Sequence, residues 1–150
     1  MAGTSRYLLV DGHSVIFHLS YLCRLHRNHP RKAREELRHS LEQLHDSSHW
    51  RVTLVYDGAG MKPDASRESR SMAIIYSAQG QTADSIIEQI VAAQKERDMI
   101  WVVTADEAER QTVEALGANC ASPEWLEGEI AAEDATFRER LEHVHRTQKW

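Results

Sequence analysis

Tyr7-Leu8-Leu9-Val10-Asp11-Gly12 decides how this chain is read: a short apolar run stopped by an aspartate and a glycine. A run of that length suits a strand, and Asp-Gly is a turn pair. An aspartate follows an apolar run three more times. Asp57 follows Val52–Tyr56, Asp84 follows Ile74–Tyr76 and a short loop, and Asp106 follows Ile100–Thr104.

Between these runs the apolar spacing changes to that of helices. Helices are expected over about residues 14–25, 33–45 and 107–116, with another starting near Thr82. Leu37, Leu41 and Leu44 stripe the second, and Ile86, Ile87, Ile90 and Val91 share one face of the helix that starts near Thr82. Residues 26–32, with Pro30, read as a polar, basic break, and 58–71, with Gly58, Gly60 and Pro63, as an exposed loop. Strands are expected at 6–10, 51–56, 72–76 and 99–104, with a short one at 119–121. Gly117 suits a helix C-cap, and Ser122-Pro123 an N-cap and first turn of a last helix. Strands alternating with helices predict one α/β domain over residues 1–150, with a central, mainly parallel sheet covered by helices on both faces.

Bulk properties narrow the class. The 150 residues, 41% hydrophobic and 27% charged, match one compact domain with a real core. No apolar run is long enough to cross a bilayer and the N-terminus lacks an apolar signal segment, so a cytoplasmic protein with no membrane role is expected. Cys23 and Cys120 stand far apart, which fits two reduced thiols rather than a disulfide framework. Nine histidines are scattered without zinc-ligand spacing. The net charge of −5 excludes a globally basic nucleic-acid coat. Any nucleic acid must be held by a local basic patch together with metal ions.

In a parallel sheet the four aspartates would gather at one edge, where open α/β folds bind their ligands. Neighbouring carboxylates repel unless cations lie between them. Each aspartate also has a local explanation. Asp106 with Glu109 fits a capping box, Asp84 suits a helix first turn, and Asp11-Gly12 and Asp57-Gly58 are turn pairs. Turns alone give no reason for aspartate at the same end of four strands. Metal-assisted phosphodiester hydrolysis does, because Mg2+ and Mn2+ take hard oxygen ligands. Asp11, Asp84 and Asp106 are the metal-ligand candidates, with Asp57 a fourth catalytic acid. Glu88, one turn after Asp84, is a supporting partner or a solvated surface acid. Ser14 is a candidate for holding the Asp11 carboxylate or a substrate phosphate, or for capping the first helix. His13, in the same turn, could touch substrate.

Lys62, Arg67 and Arg70 leave the second strand at the acidic edge and could hold a nucleic-acid backbone. Arg24, Arg27, Arg31, Lys32 and Arg34 form a denser group, but the first helix leads away from the active edge, so this second patch reads as solvated surface. Trp50, Trp101 and Trp125 read as packing residues.

Taken in order, Leu8-Leu9-Val10-Asp11-Gly12-His13-Ser14-Val15-Ile16, Val55-Tyr56-Asp57, Thr82-Ala83-Asp84-Ser85-Ile86-Ile87-Glu88, Val102-Val103-Thr104-Ala105-Asp106 and Leu116-Gly117-Ala118 resemble the YacP-like group of the NYN branch of PIN-like nucleases. The TAD-x-x-IE segment is the most specific piece. The resemblance implies a metal-dependent endoribonuclease using Mg2+ or Mn2+, with RNA as partner and the ribosome as a docking site in that group. The family's acidic positions fall on Asp11, Asp84 and Asp106, and Asp57 matches an aspartate of related flap-type nucleases. The family usually carries Asn where this chain has Ser14, and a more basic stretch where it has Asn119-Cys120-Ala121. The alternative reading is a catalytically weak RNA- or ribosome-binding module of the same fold. A haloacid-dehalogenase-type phosphatase would need a second acid at position 13, which is histidine.

Overall fold

The computed structural model describes residues 5–58, 69 and 71–147, the last three by backbone alone. Among the described residues five strands form one sheet: β1 (Arg6–Asp11), β2 (Trp50–Tyr56), β3 (Ala73–Tyr76), β4 (Ile100–Val103) and β5 (Asn119–Ala121). Their order is β3-β2-β1-β4-β5, and every pairing is parallel. The chain begins in the middle and builds outward first to one side and then to the other. That reversal at β1 is the switch point where doubly wound sheets leave a crevice. Asp11 ends β1 there.

Six α-helices among the described residues cover the sheet: α1 (Gly12–His18), α2 (Ser20–Asn28), α3 (Pro30–Ser47), α4 (Ala83–Ala93), α5 (Glu107–Ala115) and α6 (Pro123–Thr147). Alternation along β1 sets which helix group each side chain meets. Leu8 and Val10 pack with Val15, Ile16, Leu22, Leu37, Leu41 and Leu126 from α1, α2, α3 and α6. Leu9, between them, turns to the opposite face with Ile87, Val91 and Val113 from α4 and α5. Burial of both faces explains why β1 is a continuous apolar run rather than an alternating one.

Two boundaries differ from the sequence expectation. The first helix is broken at Leu19, whose backbone is extended (φ −82°, ψ 122°) and whose side chain is buried. Burying Leu19 and Leu22 on the core turns α2 back along the body. Conversely, the break expected over 26–32 shrinks to His29, because Pro30 occupies the first turn of α3. There its fixed φ suits a helix, and its missing N–H costs nothing.

At the N-terminal end of the sheet Trp50 meets Trp101 and Trp125 edge-on, with centroids 5.4 and 5.6 Å apart. The Arg6 guanidinium lies over Trp50 and Trp101 at 5.8 and 5.5 Å. These rings are packing residues, as the sequence indicates, and lie away from the strand ends that carry the aspartates. No helix among the described residues is long and apolar enough to cross a membrane. Lys62, Arg67 and Arg70 lie outside the described residues.

Candidate metal centre

Asp11 is the N-cap of α1, and its Oδ1 accepts from the Ser14 amide at 3.4 Å. The residue is only 6% exposed. Gly12 follows because no side chain fits: a Cβ there would lie 2.2 Å from the Tyr56 ring. This close approach seats the α1 N-terminus directly over the β2 end.

Asp84 enters from the other side of the sheet. It stands in the first turn of α4, but it does not cap that helix. Thr82 Oγ1 accepts from the Ser85 amide at 3.1 Å, and Ser85 Oγ accepts from the Thr82 amide at 3.2 Å. This reciprocal box satisfies the helix start and leaves the Asp84 carboxylate for the crevice.

The third acid is one the sequence reading assigned elsewhere. Asp106 does cap α5, with Oδ1 accepting from the amides of Ala108 and Glu109 at 2.9 and 3.2 Å. Glu109, however, does not reach back to complete a capping box. Its side chain points inward, 2% exposed, and Oε2 accepts from Thr104 Oγ1 at 2.8 Å. Ligand atoms of Asp11, Asp84 and Glu109 all lie within 4.8 Å of one another. A signal was available in the sequence: Glu109 shares the helical spacing of Val113 and Leu116, so it sits on the inward face of α5.

Electrostatics follow from this crowding. Burial raises the Glu109 carboxyl most, and hydrogen bonding with Asp11 and its charge add to it, taking it up to about 10 despite the Thr104 donor. Asp11 is also raised, chiefly by burial and then by the charges of Asp84 and Asp106, against hydrogen bonds with Glu109 and Ser14 that lower it. With no cation between them, the pair therefore keeps a proton, and Glu109 holds it. Glu109 Oε1 is buried and meets no N–H or O–H donor among the described residues. An oxygen so placed beside two further carboxylates fits a cation. Three hard oxygen donors from three chain segments are a ligand set that Mg2+ or Mn2+ accepts, with open positions left for water and phosphate.

Around this centre the remaining sequence candidates take distinct places. Asp106 is exposed and lines the same cleft as Asp11, His13, Ser14, Asp57 and Asp84. It also lines a neighbouring cleft with His18, Arg110 and Glu124, and so stands on the ridge between the two. Asp57 lies on the rim and accepts from Ser77 Oγ at 3.2 Å. Glu88 is half-buried on α4, outside the close triad.

Ser14 does not cap α1, because Asp11 takes that position. Its Oγ accepts from the Ala105 amide at 2.7 Å and lies 3.5 Å from Thr104 Oγ1, tying the start of α1 to the turn after β4. His13 rests against Tyr56 at 5.0 Å and stacks on Phe17 at 5.7 Å. Burial first, then His26 and Arg34, lower its pKa, against a raising effect of Asp57. The imidazole is thus neutral near pH 7 and able to accept or donate one hydrogen bond. Arg34, on α3, is thus near enough to His13 to act on its charge.

Comparison with solved structures places the same architecture in the crystal structure of Rae1 (YacP) from Bacillus subtilis. Identity is 24% and the TM-score is 0.82, over 95% of this chain and 83% of that one. A point variant of that protein superimposes equally well, over 94% and 84% of the two chains. No curated protein matches the chain at a significant level. The model of the YacP-like NYN domain, a nuclease fold, matches residues 8–150. With this match across the sheet and every acid described above, the chain belongs to the YacP-like NYN domain family.

Proposed function

We propose that the protein is a metal-dependent endoribonuclease that hydrolyses RNA phosphodiester bonds at the crevice after β1. The observation that carries this reading is the convergence of Asp11, Asp84 and Glu109 within 4.8 Å at the switch point of the sheet. These three residues would hold Mg2+ or Mn2+, and Asp106 and Asp57 would add negative charge at the rim. The bound ion supplies Lewis acidity and neutralises charge on the phosphate. The protein's own residues do the positioning. Thr104 aims Glu109, and Ser14 fixes the turn that carries Asp106. His13 offers a neutral donor or acceptor at the cleft wall, and half-buried Glu88 supports the α4 side.

RNA is the substrate that family membership favours, and messenger RNA on the ribosome in the cytoplasm is the target we assign to it. Lys62, Arg67 and Arg70, which follow Asp57 in the sequence, are assigned to the RNA backbone. Their cations would offset the unfavourable net charge of −5.

Incubating the purified protein with end-labelled single-stranded RNA and Mg2+, Mn2+ or chelator tests the reading. Internal cuts that require a divalent ion are expected. RNA left intact with every ion would reject it in favour of a binding module.

A further inference from the structure

We propose that Phe17 is a stacking platform for a nucleobase adjacent to the bond cut at the carboxylate centre, so that the crevice takes single-stranded RNA. The proposal rests on the ribonuclease reading and names how its substrate is held.

Phe17 follows the buried pair Val15 and Ile16 on α1, yet is itself 53% exposed. A single exposed apolar side chain is ordinary on a protein surface. This one is distinguished by location and by its supports. It lines the same cleft as Asp11, Asp84 and Asp106. Its ring lies nearly parallel to that of His13, at 13° and 5.7 Å, and His13 rests in turn on Tyr56, which is fully buried. The ring of His26 stands perpendicular to Phe17 at 4.8 Å. A graded series of rings thus runs from the core at Tyr56 through His13 to a half-open face at Phe17.

Such a ring is already immobilised before any ligand arrives, so little side-chain freedom remains to be lost when a base settles on it. Nucleobases stack on aromatic faces irrespective of sequence. The surrounding charge suits the same ligand. The acidic centre attracts phosphate only through a cation. Beside the ring, by contrast, Arg34 is near enough to act on both His13 and His26. A strand whose base lies on Phe17 would bring its neighbouring phosphate to the carboxylate centre in the same cleft, where a bound cation would meet it. Duplex RNA keeps its bases stacked inside and cannot present one to the ring.

The test uses the intact protein and RNA 12-mers carrying one 2-aminopurine at successive positions, in chelator so that no cleavage occurs. Stacking on the ring should quench the probe at one or two positions. Phe17→Ala should remove that quench and weaken binding by about tenfold, the loss typical of one base–aromatic stack. Phe17→Trp should restore both. With metal present, Phe17→Ala should raise KM more than it lowers kcat. Equal affinity and equal quench in Phe17→Ala would overturn the proposal, as would an equal loss of affinity for duplex and single-stranded RNA. Position-specific quenching without cleavage under any ion would instead remove the ribonuclease reading and leave the stacking site standing.

Discussion

The Thr104 hydroxyl donates to Glu109 Oε2 over 2.8 Å while accepting from the Asp106 amide over 3.0 Å. One buried side chain therefore sets both the turn after β4 and the aim of the innermost acid. A hydroxyl can do this because it is donor and acceptor at once. Thr104 is 6% exposed, so water cannot replace it.

Thr104→Val keeps the shape and removes both hydrogen bonds. The Asp106 amide loses its partner and the Glu109 carboxyl its donor. A loss of about 1–3 kcal/mol in unfolding free energy is expected from urea titration, since buried groups are left unsatisfied. Affinity for Mg2+ or Mn2+ should fall as well, by about 10- to 100-fold, as when a ligand-orienting partner is removed. Isothermal titration would read that second effect. Undiminished ion affinity would mean that Glu109 does not need Thr104 to be aimed.

Glu109 should make the metal-free protein less stable at high pH. Its folded pKa of about 10 lies above its ordinary 4.5, so between those values the native state holds a proton that the unfolded chain has released. Stability from this proton is complete below about pH 4.5 and is lost as pH rises through about 10. The slope cannot exceed about 1.4 kcal/mol per pH unit for one proton. Thermal melts in chelator should show the decline, and Glu109→Gln should flatten it. An unchanged pH profile in that variant would place the proton elsewhere.

Asp84→Asn should abolish metal-dependent cleavage and leave the fold intact. Thr82 and Ser85 cap α4 without Asp84, so its charge is not needed to start the helix. Ion affinity should drop by more than about 100-fold, beyond the cost of losing an orienting partner alone. In chelator the melting temperature should hold or rise, because one repulsive charge is gone. Cleavage at the parent rate would sink the ligand role.

Gly12→Ala should destabilise the protein by about 1–3 kcal/mol, the usual range for overpacking. The added methyl would stand 2.2 Å from the Tyr56 ring, which is fully buried. Because Tyr56 supports His13, RNA binding should weaken with it. Chemical denaturation together with an RNA titration reads both quantities. A parent-like midpoint would show that the ring can move aside.

What the sequence determined by itself was everything that depends on near neighbours along the chain. Short apolar runs at Tyr7–Val10, Val52–Tyr56 and Ile100–Val103 marked the three central strands, because strands covered by helices on both faces carry few polar residues. Thr82, Asp106 and Ser122 marked helix starts, since a cap acts on amides two or three residues away. Gly117, with φ +104°, marked the end of α5 because a residue with a Cβ is strained there. Asp11 and Asp84 could be picked out because strands end and helices start there, at the edge where a parallel sheet puts its ligands.

Tertiary structure alone decided which acid stands beside Asp11 and Asp84. Locally, Glu109 and Asp106 form an ordinary capping pair. Only the depth at which α5 packs, and a threonine five residues earlier, turn Glu109 inward while Asp106 stays on the ridge. The same holds for Phe17 and Arg34. Leu19 is apolar and helix-compatible, so nothing nearby in the chain announces a break. The core takes Leu19 and Leu22 together, and that packing turns α2 back and brings Arg34 toward the edge that carries the aspartates. Capping and periodicity act over one helical turn, whereas a site is assembled by packing between segments a hundred residues apart.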